Sequence, residues 1–149
     1  MDAALTEFKN ALQNSGLGAG LVLLNNRVPH RFTAVLRLDG AMMRTIAIVD
    51  KLGQAVPDSL KQIPIEDSFC QFALRDGSFL TQNSSDDERL EGHVYKGVLN
   101  TYVGLPLSHG DGELFGTLCH FDFPPLVLPD DEFDFLHEAA QILPPFVSS

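Results

Sequence analysis

The chain has 149 residues, with ten basic against twenty acidic side chains and a formal charge of −10 at pH 7. Nucleic acids and anionic membrane surfaces are bound through cationic faces, so this excess of carboxylates argues against both as partners. Hydrophobic residues make up 44% of the chain and charged residues 20%, which indicates one folded domain over residues 1–149 rather than a disordered segment.

The first predicted element is a short amphipathic helix over residues 3–14. Apolar side chains recur there at spacings of three and four, and Ser15-Gly16 ends the pattern. Residues 31–38 and 41–50 predict two β-strands, because both runs are rich in apolar and β-branched side chains. The Asp39-Gly40 pair between them favours a two-residue type I′ turn, so these strands should form a hairpin.

Residues 53–100, here called the insert, predict short helices and loops around one modest strand. Each helix start is indicated by a reciprocal capping box, in which a serine and a residue three positions later satisfy free amides. The expected elements are a helix at about 68–75 (box Ser68 and Gln71), a strand at 78–82, and a helix at about 86–96 (box Ser85 and Glu88).

A second hairpin is predicted from strands at 101–108 and 114–123. The turn between them contains two glycines, which tolerate positive φ. An amphipathic helix of about fourteen residues then begins after Pro129 with three carboxylates and ends at Pro144-Pro145. This order of elements predicts an α+β fold, an antiparallel sheet with the terminal helices on one face and the insert over the other.

The second hairpin carries a sequence that closely resembles a GAF domain. The string Tyr-Val-Gly-Leu-Pro-Leu follows Thr101, and Leu-Phe-Gly-Thr-Leu-Cys-His-Phe-Asp runs to Asp122. Residues 67–70 and 84–90 are similar to matching stretches in GAF sensor modules of bacterial histidine kinases and cyclase regulators. The resemblance covers residues 5–147 and implies an α/β sandwich. Its five- to six-stranded sheet would be ordered 2-1-5-4-3, with a small-molecule pocket between sheet and insert.

Alternation along the second hairpin, applied to the implied fold, predicts which side chains face that pocket. One set should face the terminal helices, namely Val103, Leu105, Leu107, Phe115, Thr117, Cys119 and Phe121. The intervening residues and three from the insert give the predicted ligand-binding set, namely Tyr102, Gly104, Pro106, Gly116, Leu118, His120, Phe72, Arg89 and His93.

His120 is the candidate polar anchor of this apolar pocket. Leu-Cys-His after a Phe-Gly step is similar to the corresponding strand of phytochrome GAF domains, where a histidine contacts the bilin. A hydrogen-bonded core histidine is the alternative. Arg89 and His93 would bind an anionic ligand or form a solvated face. The sequence identifies no cofactor, because cyclic-nucleotide, Walker-type and bilin-attachment signatures are all missing from it.

The two cysteines, Cys70 and Cys119, are too few for a disulfide scaffold or a zinc knuckle. Free-methionine sulfoxide reductases with the GAF fold share three cysteines on pocket loops, and this chain departs from that pattern. The five histidines are scattered without metal-ligand spacing, so no metal site is predicted. With no catalytic residue identified, we expect a non-catalytic module.

The sequence therefore predicts a stand-alone GAF-type sensor that binds an unidentified small molecule and acts in trans on a signalling protein. With no export signal and no spanning run, we expect it in the cytoplasm. One alternative is an interaction scaffold whose pocket is filled by Tyr102, Leu118 and Phe72, and which forms a homodimer through residues 3–14 and 130–143. The other is a redox enzyme that uses one of the two cysteines.

Overall fold

The computed structural model describes residues 3–54 and 61–147. Among these residues, no helix has both the length and the apolar character needed to cross a membrane. The helices are α1 (Ala3–Ser15), α2 (Leu17–Asn26), α3 (Cys70–Asp76) and α4 (Asp130–Ile142). The strands are β1 (Phe32–Asp39), β2 (Met42–Asp50), β3 (Gln62–Pro64), β4 (Phe79–Thr81), β5 (Thr101–Ser108) and β6 (Leu114–Asp122). Short 3₁₀ turns lie at Ile65–Asp67, Ser84–Asp86, Glu88–Leu90 and Pro144–Phe146.

The predicted α+β sandwich is confirmed. The strands form one antiparallel sheet in the order β3-β2-β1-β6-β5-β4, which is the predicted order with the short strand β3 added at one edge. One apolar cluster lies between this sheet and α1, α2 and α4, on what we call the helix face. A second cluster lies between the sheet and the insert, on the insert face.

Helix α2 was not among the predicted elements. Gly16 has a φ of 93°, so it ends α1, yet the chain enters α2 at the next residue. The glycines of this segment hide its helical pattern, but Gly20 has a packing role. A Cβ added to Gly20 would clash with the side chain of Leu12, so the missing side chain allows α1 and α2 to pack closely.

The helix predicted at 86–96 is wrong. That segment forms 3₁₀ turns and glycine-containing turns instead. Gly92 and Gly97 have φ values of 82° and 79°, which an α-helix cannot include. The expected capping box is also replaced, because the Asp87 carboxylate accepts the backbone N–H of Arg89 at 3.1 Å. The Asp87 carboxylate therefore stabilises a turn rather than the start of an α-helix.

Helix α3 confirms the helix predicted at 68–75, but it begins at Cys70. Ser68 does not cap it through its side-chain oxygen, since its hydroxyl donates to the Ile65 carbonyl at 2.8 Å. The side chain of Gln71 donates instead to the Ser68 carbonyl at 2.8 Å. The strand predicted at 78–82 is confirmed as β4 and is two residues shorter.

A β-bulge in β6 decides which side chains face the insert. Leu107 pairs with Gly116 and Ser108 pairs with Leu114, which leaves Phe115 as an extra residue on β6. Beyond the bulge, alternation is the reverse of the predicted one, so the pocket-facing set predicted for β6 is wrong. Thr117, Cys119 and Phe121 lie on the insert face, and Gly116, Leu118 and His120 lie on the helix face.

Strand β5 keeps the predicted alternation. Val103, Leu105 and Leu107 belong to the cluster on the helix face, and Tyr102 belongs to the cluster on the insert face. No pairing irregularity interrupts β5 between Thr101 and Leu107, so counting by twos gives the right faces there.

Gly116 lies where β6 passes close to β1. A Cβ added to Gly116 would clash with the main-chain carbonyl oxygen of Leu36, which cannot move without disturbing the β1–β6 pairing. We expect Gly116→Ala to lower the free energy of unfolding by about 3 kcal/mol, measured by urea unfolding. Gly110→Ala is the matched control, because an added Cβ there meets nothing within 4 Å. Equal losses in the two variants would contradict the proposed clash.

Helix α1 buries its apolar side chains within the chain itself. Leu5, Phe8 and Leu12 are 5%, 0% and 2% exposed and belong to the cluster on the helix face. Leu5, Phe8 and Leu12 are therefore not available for a dimer contact through residues 3–14. Homodimerisation through residues 3–14 and 130–143 stays a prediction, and it would need the outer faces of these helices.

Candidate ligand pocket

A cavity of about 180 Å³ lies between the insert and the sheet, and we call it the insert cavity. Its floor comes from β1, β5 and β6, and its roof comes from the start of α3 and the turn at residues 95–99. Apolar cavities of about 150 Å³ accept a benzene-sized molecule. The insert cavity is therefore large enough for a small ligand.

The mouth of the insert cavity is apolar. Val98 and Phe123 line it and are 54% and 43% exposed. Exposed apolar side chains beside a concave site are typical of a ligand entrance. The described residues that line the cavity include no Asp, Glu, Lys, Arg or His.

Aromatic rings of the insert pack behind the cavity wall. Phe69 lines the cavity, and its ring centroid lies 5.6 Å from that of Tyr102 in an edge-to-face arrangement. Phe79 and His93 lie 6.1 and 4.7 Å from Phe69. Phe72 lies 4.9 Å from Phe79, so it supports the wall from outside the cavity. These contacts hold the roof in place without filling the cavity.

Sulfur and hydroxyl groups provide polar atoms at the inner end of the insert cavity. The Cys70 thiol accepts hydrogen bonds from Tyr102 Oη and Thr117 Oγ1, each at 3.3 Å. Cys119 lies two residues beyond Thr117 on the same face of β6, and its thiol donates to the Ala34 carbonyl oxygen at 3.7 Å. Both cysteines are free thiols. In the part of the chain that is described, no group of three His, Cys, Asp or Glu side chains could hold a metal.

The pKa values of the two thiols are shifted in opposite directions. The neighbouring Cys119 thiol has the largest effect on Cys70 and lowers its pKa against the effect of burial, and the hydrogen bonds from Thr117 and Tyr102 lower it further. The interaction with Cys70, together with burial, raises the pKa of Cys119. Burial likewise raises the pKa of Tyr102, so its hydroxyl stays a donor. The site therefore favours a thiolate at Cys70.

Tyr102 is a predicted ligand-binding residue that lines the insert cavity. Gly104 lies under its ring, because an added Cβ would clash with the ring atoms of Tyr102. Gly104 therefore makes room for Tyr102 rather than for a ligand. Pro106 lines a different depression, beside the end of α4. The predicted filling of the pocket by Tyr102, Leu118 and Phe72 is wrong, since the cavity is open and Leu118 faces the helices.

Arg89 and His93 lie outside the lining of the insert cavity. The Arg89 guanidinium pairs with Asp87 at 2.6 Å and donates to the Leu80 carbonyl at 2.7 Å. The His93 ring packs 4.7 Å from Phe69. These contacts assign both residues a part in holding the insert together, and the predicted anion-binding role finds no support in their positions.

His120 does not reach the pocket, and the prediction that it does is wrong. Its Nδ1 forms a hydrogen bond of 2.6 Å with Thr33 Oγ1, which also accepts from Asn25 Nδ2 at 2.9 Å. Its ring centroid lies 5.8 Å from that of His30. Burial lowers the pKa of His120 to about 3 and is the largest cause of the lowered pKa of His30, about 4. Both are neutral core histidines on the helix face.

A larger depression of about 450 Å³ lies at the sheet edge beside the end of α4. Turn residues such as His109 and Gly110 form one side of it, and His137 and Pro144 form the other. The described residues of its lining include no cysteine, phenylalanine or tyrosine, whereas the insert cavity has two cysteines and an aromatic wall. The insert cavity is therefore the stronger candidate for a ligand site.

Cys119 and Phe121 line the insert cavity and Thr117 donates to Cys70 beside it, although alternation predicts all three on the helix face. All three lie beyond the bulge at Phe115, and no residue type in this hairpin marks that bulge. The meeting of Cys119 with Cys70 depends on the same bulge, because strict alternation puts Cys119 on the helix face.

Searches against family models and against curated proteins found no match. Solved structures do match. The GAF domain of an Acinetobacter phosphoenolpyruvate-protein phosphotransferase is 15% identical with a TM-score of 0.73, covering 98% of this chain and 93% of that one. A free methionine-R-sulfoxide reductase from Neisseria meningitidis, solved with its substrate, is 15% identical with a TM-score of 0.72, covering 97% and 90%. A putative GAF sensor protein from Burkholderia vietnamiensis is 15% identical with a TM-score of 0.71, covering 97% and 90%. The chain has the GAF fold, which sensors and reductases share.

Proposed function

We propose that this chain is a GAF-type binding module that takes a small neutral molecule into the insert cavity. The observation that carries the proposal is the cavity itself, an apolar space of about 180 Å³ with an exposed apolar mouth. It lies between the sheet and the insert, so a bound molecule would contact both. The GAF fold of sensor proteins agrees with this use.

The cavity lining sets the chemistry of the ligand. Ala34, Leu36 and Phe121 suit an aromatic ring or a branched aliphatic group. Tyr102 and Cys70 at the inner end suit a single polar atom. An anionic group inside the cavity would lose its hydration without finding a cationic partner, so cyclic nucleotides and other anions are disfavoured.

Binding would act on the insert. A molecule that touches both the sheet and the insert stabilises the arrangement in which the insert is closed, which shifts the population toward that arrangement. A signalling protein that contacts the outer surface of the insert would then distinguish the occupied from the empty state. This is the regulatory role that we propose for the chain.

A thermal-shift screen with indole, phenol and cyclic AMP tests the proposal. A neutral ligand at a hundred times its dissociation constant should add about 2.7 kcal/mol of stability, and cyclic AMP should add none. Ala34→Val narrows the cavity and should abolish the response. Val35→Ile is the matched control. Val35 is the next residue in β1, but its side chain lies on the helix face, opposite the insert cavity. The proposal fails if no neutral compound raises the melting temperature, or if Ala34→Val responds like the parent.

A thiol-dependent reductase is the second candidate function. It is favoured by the free thiol pair in the cavity and by the likeness to free methionine-R-sulfoxide reductases. Consumption of free methionine-R-sulfoxide with dithiothreitol as the reductant is the direct assay. Activity that disappears in Cys70→Ser would establish this function in place of a purely binding one.

A further inference from the structure

Two distant cysteines meet at the inner end of the insert cavity. Cys70 is the first residue of α3, and Cys119 lies in the middle of β6. They are 4% and 0% exposed, yet both line the cavity. A small molecule that enters the cavity would therefore lie beside Cys70, the more accessible of the two, with Cys119 behind it in the cavity wall.

The surroundings of Cys70 differ from those of an ordinary buried cysteine. A buried thiol commonly packs as a small apolar group. Here Tyr102 and Thr117 each direct a hydroxyl to the Cys70 sulfur at 3.3 Å, and Cys119 follows Thr117 on the same face of β6 and lines the same cavity. Donors directed at a sulfur atom stabilise its anionic form, which is the nucleophile in thiol chemistry.

We propose that Cys70 and Cys119 are a redox modification site, in which a hydroperoxide that enters the insert cavity converts the two thiols into a disulfide. Cys70 supplies the reacting thiolate, and Cys119 is the resolving thiol. The bond would join α3 of the insert to β6 of the sheet across the cavity. This inference does not depend on the ligand proposed above.

The reaction balances in two steps. In the first, the Cys70 thiolate attacks the terminal peroxide oxygen, so that an S–O bond forms and the O–O bond breaks. The departing alkoxide takes the Cys119 proton and leaves as an alcohol, or as water when the oxidant is hydrogen peroxide. In the second, the Cys119 thiolate attacks Cys70 Sγ, an S–S bond forms, and the S–O bond breaks. The hydroxide released takes up the proton that Cys70 had lost, so the thiols lose two electrons and the peroxide gains them.

Intact-mass measurement of the full chain tests this site. Treatment with hydrogen peroxide, and separately with cumene hydroperoxide, should remove the mass of two hydrogen atoms, and dithiothreitol should restore it. Cys119→Ser should stop at the addition of one oxygen, which dimedone captures, and Cys70→Ser should stay unchanged. Faster reaction with cumene hydroperoxide would identify an organic hydroperoxide as the preferred oxidant. No loss of hydrogen with either oxidant, or a loss that persists in Cys70→Ser, would overturn the inference.

A second measurement avoids the cysteine substitutions, which could disturb the fold. Tyr102→Phe removes one donor to Cys70 and keeps the ring, so the pKa of Cys70 should rise from about 7 and oxidation at pH 7 should slow. The slowing should be about fivefold at most if the pKa rises by one, because the thiolate fraction falls from about one half to about one tenth while the remaining thiolate becomes more nucleophilic. The pH at which the oxidation rate reaches half of its maximum should rise together with the Cys70 pKa. Tyr95→Phe is the matched control, because Tyr95 lines the same cavity and none of the hydrogen bonds to Cys70 comes from it. Equal pH profiles of the oxidation rate in the two variants would show that the Tyr102 hydroxyl does not stabilise the Cys70 thiolate. A failed ligand screen would leave this result untouched.

Discussion

Lowering the pH from 7 to 5 should reduce the free energy of unfolding by about 3 to 4 kcal/mol, because two buried histidines stay neutral in the folded chain. The pKa of His30 is lowered from 6.5 to about 4, and that of His120 to about 3, and burial is the main cause for both. Asp122 opposes the effect on His30, whereas Lys51 adds to it. The unfolded chain takes up protons below pH 6.5 that the folded chain cannot. The stabilisation is therefore complete above 6.5 and is lost as the pH falls toward 4 and 3.

Urea unfolding at pH 5, 6 and 7 measures this dependence. His30→Leu should remove about half of it, since it removes one of the two groups. Neither ring nitrogen of His30 has a hydrogen-bond partner, so this substitution breaks no hydrogen bond. The exposed His137 supplies the control, because His137→Gln should leave the dependence unchanged. If His30→Leu depends on pH as strongly as the parent, the buried histidines are not the cause.

Leu118→Ala should lower the free energy of unfolding by about 2 to 5 kcal/mol, and it should leave oxidation of Cys70 unchanged. Leu118 is 0% exposed and belongs to the cluster on the helix face. Removing its side chain leaves a space that the packed helices cannot fill completely. The effect is expected on stability alone, because the insert cavity lies on the other side of the sheet.

Leu114→Ala is the control for position within β6. Leu114 is 39% exposed, so truncation there should cost much less. Urea unfolding gives the stabilities, and intact mass after hydrogen peroxide treatment gives the reactivity of Cys70. If Leu118→Ala lost little stability and altered the reactivity of Cys70, Leu118 would face the insert cavity, as strict alternation predicts, and the assignment to the helix face would be wrong.

Local signals were sufficient to predict the framework of the fold. The Asp39-Gly40 turn, the glycine-containing turn after Ser108 and the two amphipathic helices each depend on residues close together in the chain. The insert was harder, because Gly92 and Gly97 form turns where carboxylates and serines resemble a helix start. The sequence does not predict α2 for the related reason that Gly18 and Gly20 weaken its helical pattern.

The composition of the candidate site could not be predicted from the same signals. Strict alternation along β5 places Tyr102 correctly on the insert face. Along β6 it fails at Phe115, so the predicted faces of Cys119 and His120 are reversed. A bulge depends on how two strands pair across the sheet, and a single sequence carries little information about that pairing. The partner of Cys70 was hidden for this reason.

The pairing of β1 with β6 at the centre of the sheet has a consequence for biosynthesis. Thr33 and His120 are 87 positions apart in the chain, yet they lie side by side on neighbouring strands. While a ribosome is still making the second half, β1 and β2 can form a hairpin but have no sheet to join. Contacts that link distant segments also slow folding. Nascent chains that end before β6 should therefore depend on chaperones to cover the apolar surface of the first hairpin.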